Sequence, residues 1–142
     1  MKLALACDHA GYEMKVKLMA YLKESGHEIV DLGAYSAESV DYPDFGHKIG
    51  DYVAEKKSEL GISLCGSGNG INMTANKHPD VRSALCWNPE IAELARAHNN
   101  ANICALPARF LSLEEAKQIV DKFLNSPFDG GRHQRRIDKI PL

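Results

Sequence analysis

Short apolar runs alternate with amphipathic stretches along the whole chain, and this alternation restricts the fold more than any other feature. Strands and helices in strict alternation are typical of a parallel sheet that is covered by helices on both faces. One helix start is especially clear, because Ser112 and Glu115 have the spacing of a capping box. The sequence therefore predicts an α/β sandwich. Its five predicted strands are Lys2–Cys7, His27–Asp31, Gly61–Cys65, Arg82–Cys86 and Asn102–Ala105.

Length and charge narrow the class of protein further. The chain has 142 residues and no linker, repeat or low-complexity segment, which predicts one domain over residues 1–142 with a basic tail over residues 130–142. A net charge of −2 gives no reason to expect a nucleic acid partner. No apolar run approaches the ~20 residues that span a bilayer, and no secretory leader opens the chain. We expect a cytoplasmic protein that binds neither membranes nor nucleic acids.

The four cysteines, at positions 7, 65, 86 and 104, form no CxxC pair. In a reducing compartment such cysteines are free thiols, and their spacings match no common zinc pattern. Three of them are best explained as small buried core residues. Cys65 differs, because a glycine-rich segment follows it directly.

The segment Cys65-Gly66-Ser67-Gly68-Asn69-Gly70 joins a predicted buried strand to a short predicted helix. A turn of this kind exposes successive backbone N–H groups and favours an anion. It is not a dinucleotide fingerprint, because Ile71 stands where the third glycine would fall, and it lacks the Gly-Lys-Ser/Thr of a P-loop. A thiol at the entrance to the turn should ionise readily and could act as a base or as a nucleophile.

Other candidate residues follow strand or helix ends. Ligands of such sheets bind beyond the carboxyl ends of the strands, which favours a functional role for His9. His98 ends an amphipathic helix and is equally compatible with the core and with catalysis. Arg132 and Arg136 lie four residues apart, so they are either a solvated helix face or a phosphate clamp.

Taken together, these segments resemble the ribose-5-phosphate isomerase B family, which includes related allose- and galactose-phosphate isomerases. The likeness covers essentially the whole chain. The matching motifs are Cys7-Asp8-His9-Ala10-Gly11, Val40-Asp41-Tyr42-Pro43, Cys65-Gly66-Ser67-Gly68, Ala75-Asn76-Lys77, His98-Asn99-Asn100 and Gly130-Gly131-Arg132-His133-Gln134-Arg135-Arg136.

The resemblance implies a Rossmann-like αβα sandwich and a homodimer with sites at the subunit interface, which could pair into tetramers. It also implies that no metal or cofactor is needed. Cys65 would move a proton between C1 and C2 of the sugar, Ser67 would steady the enediolate, and His98 would open the furanose ring. Sugar or phosphate would be held by Asp8, His9, Tyr42, Gly66, Gly68, Asn69, Gly70, Asn99, Arg109, Arg132 and Arg136.

The chain resembles one branch of that family and departs from the usual family pattern at one position. One branch uses this cysteine and another uses a glutamate just after the glycine turn, where this chain has Ile71, which cannot take a proton. Ser67 replaces the threonine that is more usual beside the cysteine, and this change keeps the hydroxyl.

Three classes of function remain open from the residues themselves: a sugar-phosphate isomerase, a cysteine hydrolase or redox enzyme, and a non-catalytic module that binds phosphosugars. The resemblance favours the isomerase. Ribose 5-phosphate, with ribulose 5-phosphate as its product, is the first substrate to test. A six-carbon sugar phosphate such as allose 6-phosphate or galactose 6-phosphate is the alternative.

Overall fold

The computed structural model describes all residues, Met1–Leu142. A five-stranded parallel sheet has the order β2-β1-β3-β5-β4. The strands are β1 Lys2–Cys7, β2 Glu28–Asp31, β3 Leu60–Cys65, β4 Ser83–Leu85 and β5 Ile103–Pro107. The helices are α1 Tyr12–Glu24, α2 Tyr42–Ala54, α3 Asn69–Ala75, α4 Pro89–Ala97, α5 Leu113–Asn125 and α6 Arg132–Ile137, and 3-10 turns cover His9–Gly11 and Ala108–Phe110.

The helices form one layer on each face of the sheet, and the sequence of β1 shows why. Its alternate side chains point to opposite faces. Leu3 and Leu5 join a cluster of 20 buried residues beneath α1, α4 and α5, whereas Ala4 and Ala6 pack against Ile49 of α2. Large residues therefore fill the space under three helices, and alanines allow α2 to approach the sheet closely. The predicted αβα sandwich is confirmed.

The predicted strands and caps agree with the structure to within a few residues. The capping box at Ser112 is present in both directions, with Ser112 Oγ accepting from the Glu115 amide at 3.1 Å. Strand β4 is shorter than the predicted Arg82–Cys86 segment, because it pairs only with β5 over Ser83–Leu85. Strand β5 extends to Pro107, whose missing N–H the ladder tolerates at the strand end.

All four cysteines are free, as the sequence predicts, and Cys7, Cys86 and Cys104 are buried as predicted. Cys65 is also largely buried, with 5% of its surface exposed. The basic tail contains the helix α6, which begins after Gly130 and Gly131, both with positive φ. Across the structure, every helix falls short of the length and apolar character that a membrane crossing requires.

Candidate active site

The glycine turn lies where the strand order reverses. Strands β1 and β3 are neighbours, but the chain leaves β1 for β2 on one side and β3 for β4 and β5 on the other. Ligands of open α/β sheets bind at such a switch point. Here Cys65 ends β3 and Asp8 directly follows β1, and the Asp8 amide donates to Leu64 O at 3.2 Å. Cys65 and Asp8, both predicted site residues, thus lie at the ends of adjacent strands.

The turn after Cys65 needs its glycines. Gly68 has φ +77°, in the left-handed region that favours glycine, and a Cβ there would lie 2.5 Å from Leu85 Cδ1. The ring of Tyr42 packs against Gly70 so closely that a Cβ on Gly70 would overlap it. Helix α3 begins at Asn69, so the amide groups of its first turn have no helical partners. Ser67 Oγ accepts from the Asn69 amide at 3.3 Å.

Residues from these loops enclose an open cavity of about 460 Å³, which we call the catalytic cavity. Seven of its eight lining residues are predicted site residues. The eighth, Phe110, is 75% exposed and was not predicted. The signal that could have revealed it is its place directly after Arg109 at a strand end. The wall consists of Asp8, Tyr42, Cys65, Gly66, Ser67, Gly70, Arg109 and Phe110.

Asp8 and His9 are oriented by backbone groups. Asp8 is 6% exposed, and its Oδ1 accepts from the amides of Ala10 and Gly11 at 2.9 and 3.2 Å. Its Oδ2 makes no hydrogen bond within the chain, so this oxygen can accept from a sugar hydroxyl. His9 Nδ1 accepts from the Val40 amide at 3.2 Å, and in the neutral ring Nε2 must then carry the proton. His9 can therefore donate from Nε2, although it does not itself line the catalytic cavity.

Arg109 closes one side of the catalytic cavity. Its amide donates to Gly66 O at 3.0 Å, and its guanidinium lies over Gly66, where an added Cβ would be 3.2 Å from Nη1. The only arginine of the catalytic cavity is thus held against the glycine turn. A guanidinium in that position can pair with an anionic group of a bound ligand.

The buried cation Lys15 supports the same edge of the sheet and was not predicted. Its ammonium donates to Asp31 Oδ1 at 2.5 Å and to Ala34 O at 2.6 Å, and the residue is fully buried. The Cys7 amide donates to Gly33 O at 2.7 Å. This network fixes the loop after β2 beside the end of β1. This buried network could not be predicted from the sequence, because a lysine on a helix is usually exposed.

Seven of the fourteen predicted site residues do not line the catalytic cavity. Three of them, His9, Gly68 and Asn69, are chain neighbours of lining residues. Helix α4 connects two parallel strands and runs back across the sheet, so its end at His98 lies toward the amino ends of the strands, away from Cys65. The Asn99 carbonyl accepts from Arg82 Nε at 3.0 Å. Within one chain, the structure does not bring together the full predicted set, and the four residues that lie apart from the cavity are His98, Asn99, Arg132 and Arg136.

His98 and residues of the tail form a second cluster, which we call the histidine cluster: His98, Asp129, Arg132, His133 and Arg136. The rings of His98 and His133 are stacked, with centroids 4.2 Å apart and planes inclined by 11°. Burial, His98 and the two arginines lower the pKa of His133 from its ordinary value. His133 lies in one of the motifs shared with the family, but it is not among the predicted site residues.

The histidine cluster also contains three potential metal ligands. Atoms of His98, Asp129 and His133 lie within 4.8 Å of one another. However, Arg132 and Arg136, which add to the lowering of the His133 pKa that burial causes first, also repel a metal ion. The two arginines therefore favour an anion over a cation in the histidine cluster.

The other three cysteines, Cys7, Cys86 and Cys104, belong to the main hydrophobic core. Burial raises the pKa of Cys7 to about 11. The pKa of Cys104 is also raised, by its contact with Cys86 and by burial. Ile71, fully buried beneath Cys65, cannot exchange protons. Cys65 is therefore the one thiol of the chain that lines the catalytic cavity.

The fold and the site define a class first. This is a small Rossmann-like αβα protein whose catalytic cavity combines a thiol, a carboxylate, an arginine and an amide-rich turn, as suits a small anionic substrate. The sequence profile described as Ribose/Galactose Isomerase matches residues 3–140. The chain belongs to the ribose/galactose isomerase family.

Individual relatives agree over nearly the full length. Ribose-5-phosphate isomerase B of Escherichia coli is 41% identical over 139 residues, covering 98% of this chain and 93% of that one. The structure of Clostridium thermocellum ribose-5-phosphate isomerase B superposes with a TM-score of 0.98 at 45% identity, covering 99% and 95% of the two chains. That of the Mycoplasma genitalium enzyme, with bound ribulose-5-phosphate, gives 0.94 at 44% identity, covering 98% and 93%.

Proposed function

We propose that the chain is an aldose–ketose isomerase that interconverts ribose 5-phosphate and ribulose 5-phosphate. The observation that carries the proposal is the position of Cys65 at the switch point, directly before the amide-rich turn and across from Asp8. Membership of the family supports it, as do relatives named for this activity and a neighbouring structure with ribulose-5-phosphate bound.

In the proposed reaction the Cys65 thiolate removes the proton from C2 of the open-chain aldose. The C2–H electron pair becomes the C1=C2 double bond, and the carbonyl electrons move to O1, which gives an enediolate. A proton then passes from O2 to O1, the C2 carbonyl forms, and the Cys65 thiol returns its proton to C1. The anion exists only along the reaction path, so donors fixed in advance lower the barrier.

The donors available to that anion are the Ser67 hydroxyl and the amides of the turn, including Gly70 of α3. Asp8 Oδ2 accepts from sugar hydroxyls, and the Tyr42 ring bounds the cavity beside Gly70. Arg109 and the Nε2–H of His9 are placed to meet the phosphate. No step requires a metal or a cofactor.

We propose that a second copy of the chain completes the site. The catalytic cavity lacks a ring-opening acid and has a single arginine. The histidine cluster offers His98, Arg132 and Arg136 at the other edge of the sheet, and Asn99 follows His98 in the chain. Large apolar side chains are exposed at Met73, Trp87 and Phe110, by 65%, 54% and 75%, as suits an interface between copies. Phe110 belongs to the catalytic cavity itself, so such an interface would include the site.

Subunit complementation tests the dimer. Chains with Cys65→Ala and chains with His98→Asn are unfolded together, mixed in equal amounts and refolded. If a site combines Cys65 of one copy with His98 of the other, half of the dimers are mixed, and each has one intact site. The mixture then regains about a quarter of wild-type activity. No recovery from a preparation shown to contain mixed dimers would place both residues in the same chain's site.

The function itself is tested by initial rates. Purified chain is assayed with ribose 5-phosphate, allose 6-phosphate and galactose 6-phosphate under the same conditions. The proposal requires the highest kcat/KM for the five-carbon sugar. Preference for a six-carbon sugar would keep the chemistry and change the substrate. Binding of all three without turnover would instead indicate a non-catalytic phosphosugar-binding module.

A further inference from the structure

Another cavity that can bind a ligand lies at the edge of the sheet opposite Cys65. A cavity of about 680 Å³, which we call the amino-end cavity, opens beneath the first residues of β1 and β3. Strand β3 connects the two regions, with Leu60 at the amino-end cavity and Cys65 at the catalytic cavity. At about 3.3 Å per residue, the two ends of β3 are roughly 16 Å apart.

Cations dominate the wall of the amino-end cavity. Two carboxylates, Glu59 and Asp80, also line it. One of the lysines, Lys57, is already paired with Glu55, which lies outside the wall, at 2.5 Å. The charges that remain are still mostly positive, which favours an anion. The cationic residues are Lys2, Lys56, Lys57, Arg82 and Arg96.

Among these cations, Arg82 and Arg96 give the strongest argument for a bound anion. Neither guanidinium forms an ion pair with a carboxylate. Arg82 donates to the carbonyls of Asn99 and Asn100, and Arg96 donates to Ala101 O at 2.6 Å. Burial and the neighbouring Arg82 lower the pKa of Arg96, so the chain holds like charges together without a compensating anion. Planar guanidinium groups match phosphate oxygens.

Unpaired polar atoms accompany these charges. Arg96 Nε and Ser58 Oγ are buried and have no hydrogen-bond partner in the chain. Ser58 is only 7% exposed, and both residues belong to the wall of the amino-end cavity. Leaving such groups without partners costs free energy, and most buried polar groups are paired. The chain itself thus leaves polar groups without partners in two residues of the cavity wall.

We propose that the amino-end cavity binds a small phosphorylated anion, a phosphate monoester or pyrophosphate, at a site separate from the catalytic cavity. Its volume falls within the range of ordinary ligand pockets. The arginines hold the phosphate oxygens, and the lysines at the rim supply further positive charge. The site does not depend on the identity of the isomerised sugar.

Lys56 offers a substitution that removes charge and keeps the fold. Its φ is +57°, a conformation that asparagine adopts more readily than lysine. Lys56→Asn should therefore fold normally. Lys23→Asn makes the same change in charge on an exposed residue of α1, outside the amino-end cavity, and serves as the matched control.

The experiment is calorimetric titration with inorganic pyrophosphate. The double variant Arg109→Gln/Arg132→Gln impairs the proposed phosphate site of the enzyme in both regions that contribute to it, so this double variant is titrated alone and with Lys56→Asn or Lys23→Asn added. Pyrophosphate should still bind the double variant. Lys56→Asn should raise the Kd about fivefold, as expected for one screened charge near the ligand, and Lys23→Asn should leave it unchanged.

Three results would overturn the proposal. Loss of all pyrophosphate binding in the double variant would confine binding to the proposed site of the sugar phosphate. Equal weakening by Lys56→Asn and Lys23→Asn would indicate only a diffuse charge effect. Unchanged affinity in Lys56→Asn would show that the anion lies elsewhere. The single variant Lys56→Asn should keep kcat and KM for the sugar phosphate within twofold, because it is remote from Cys65.

Discussion

The catalytic cavity and the histidine cluster are built in different ways. The catalytic cavity is formed by strand ends and the turns that follow them, and the hydrogen bonds of the sheet fix Cys65 and Asp8 directly. The histidine cluster joins the end of α4 to a six-residue helix that begins after two glycines. One region carries the thiol and the amides, and the other carries most of the proposed phosphate-binding and ring-opening groups. The proposed dimer would bring these two regions together in one site.

The comparison also separates two kinds of electrostatics. In the proposed reaction, the catalytic cavity stabilises an anion that forms only during the reaction, through the uncharged amides of the turn and the Ser67 hydroxyl. The histidine cluster concentrates full positive charge, which suits a phosphate that stays charged throughout. Substitutions in the two regions should therefore damage catalysis in different ways.

The largest effect is expected from Cys65→Ala. Loss of the base should lower kcat for ribose 5-phosphate by at least about 10³-fold, within the range of general acid–base catalysis, while the melting temperature stays nearly unchanged. Cys86→Ala is the matched control, because it removes another buried thiol. A Cys65→Ala enzyme that keeps more than a few per cent of its turnover would place the base elsewhere.

His98→Asn should act on one direction of the reaction. Ribose 5-phosphate is mostly a closed furanose, whereas in ribulose 5-phosphate the hydroxyl that would close that ring carries the phosphate. Loss of a ring-opening acid should slow the aldose by about 10²-fold or more and the ketose far less. Initial rates in both directions measure this. Equal slowing with a lower melting temperature would make His98 a structural partner of His133.

Arg132→Gln should weaken binding and affect turnover less. Removing a hydrogen bond to a charged group costs about 1.5–3 kcal/mol, which should appear in KM for ribose 5-phosphate. Ribose without the phosphate should be affected little. Arg135→Gln, which removes an exposed arginine of the same helix that is not part of the histidine cluster, is the matched control. Equal losses with both substrates would assign Arg132 to the fold or the dimer.

The sequence predicted one region better than the other, for a physical reason. Strand ends of a parallel sheet converge at one edge, so Cys65, Asp8 and the glycine turn could be placed together from periodicity alone. The position of His98 depends on the direction of α4, and its proposed role depends on a second copy of the chain. Its stacking on His133 follows from the path of the tail, for which periodicity gave no rule. Phe110 was missed because an exposed aromatic carries no pattern of its own.

The pKa of His133 makes a smaller prediction about stability. Because the pKa is lowered in the folded chain, the unfolded chain binds more protons below the ordinary histidine value of about 6.5. Stability should therefore be complete above that pH and fall as the pH is lowered toward the folded pKa. His133→Asn should flatten the dependence of the melting temperature between about pH 7 and 5. An unchanged slope would show that His133 does not resist protonation.

The smallest expected effect is none at all, on removal of metal ions. The ligand atoms of His98, Asp129 and His133 lie close enough together to bind a metal ion. A metal bound there would contradict the proposal of a metal-free reaction. Arg132 and Arg136 oppose it, because their positive charges, which after burial also lower the pKa of His133, repel a further cation. Parallel rings 4.2 Å apart also do not point their nitrogen atoms at a common centre without reorienting. Extended dialysis against a chelator should therefore leave kcat and KM unchanged. Activity that is lost and then restored by one divalent ion would assign the cluster to a metal, and Asp129→Asn should then reproduce the loss.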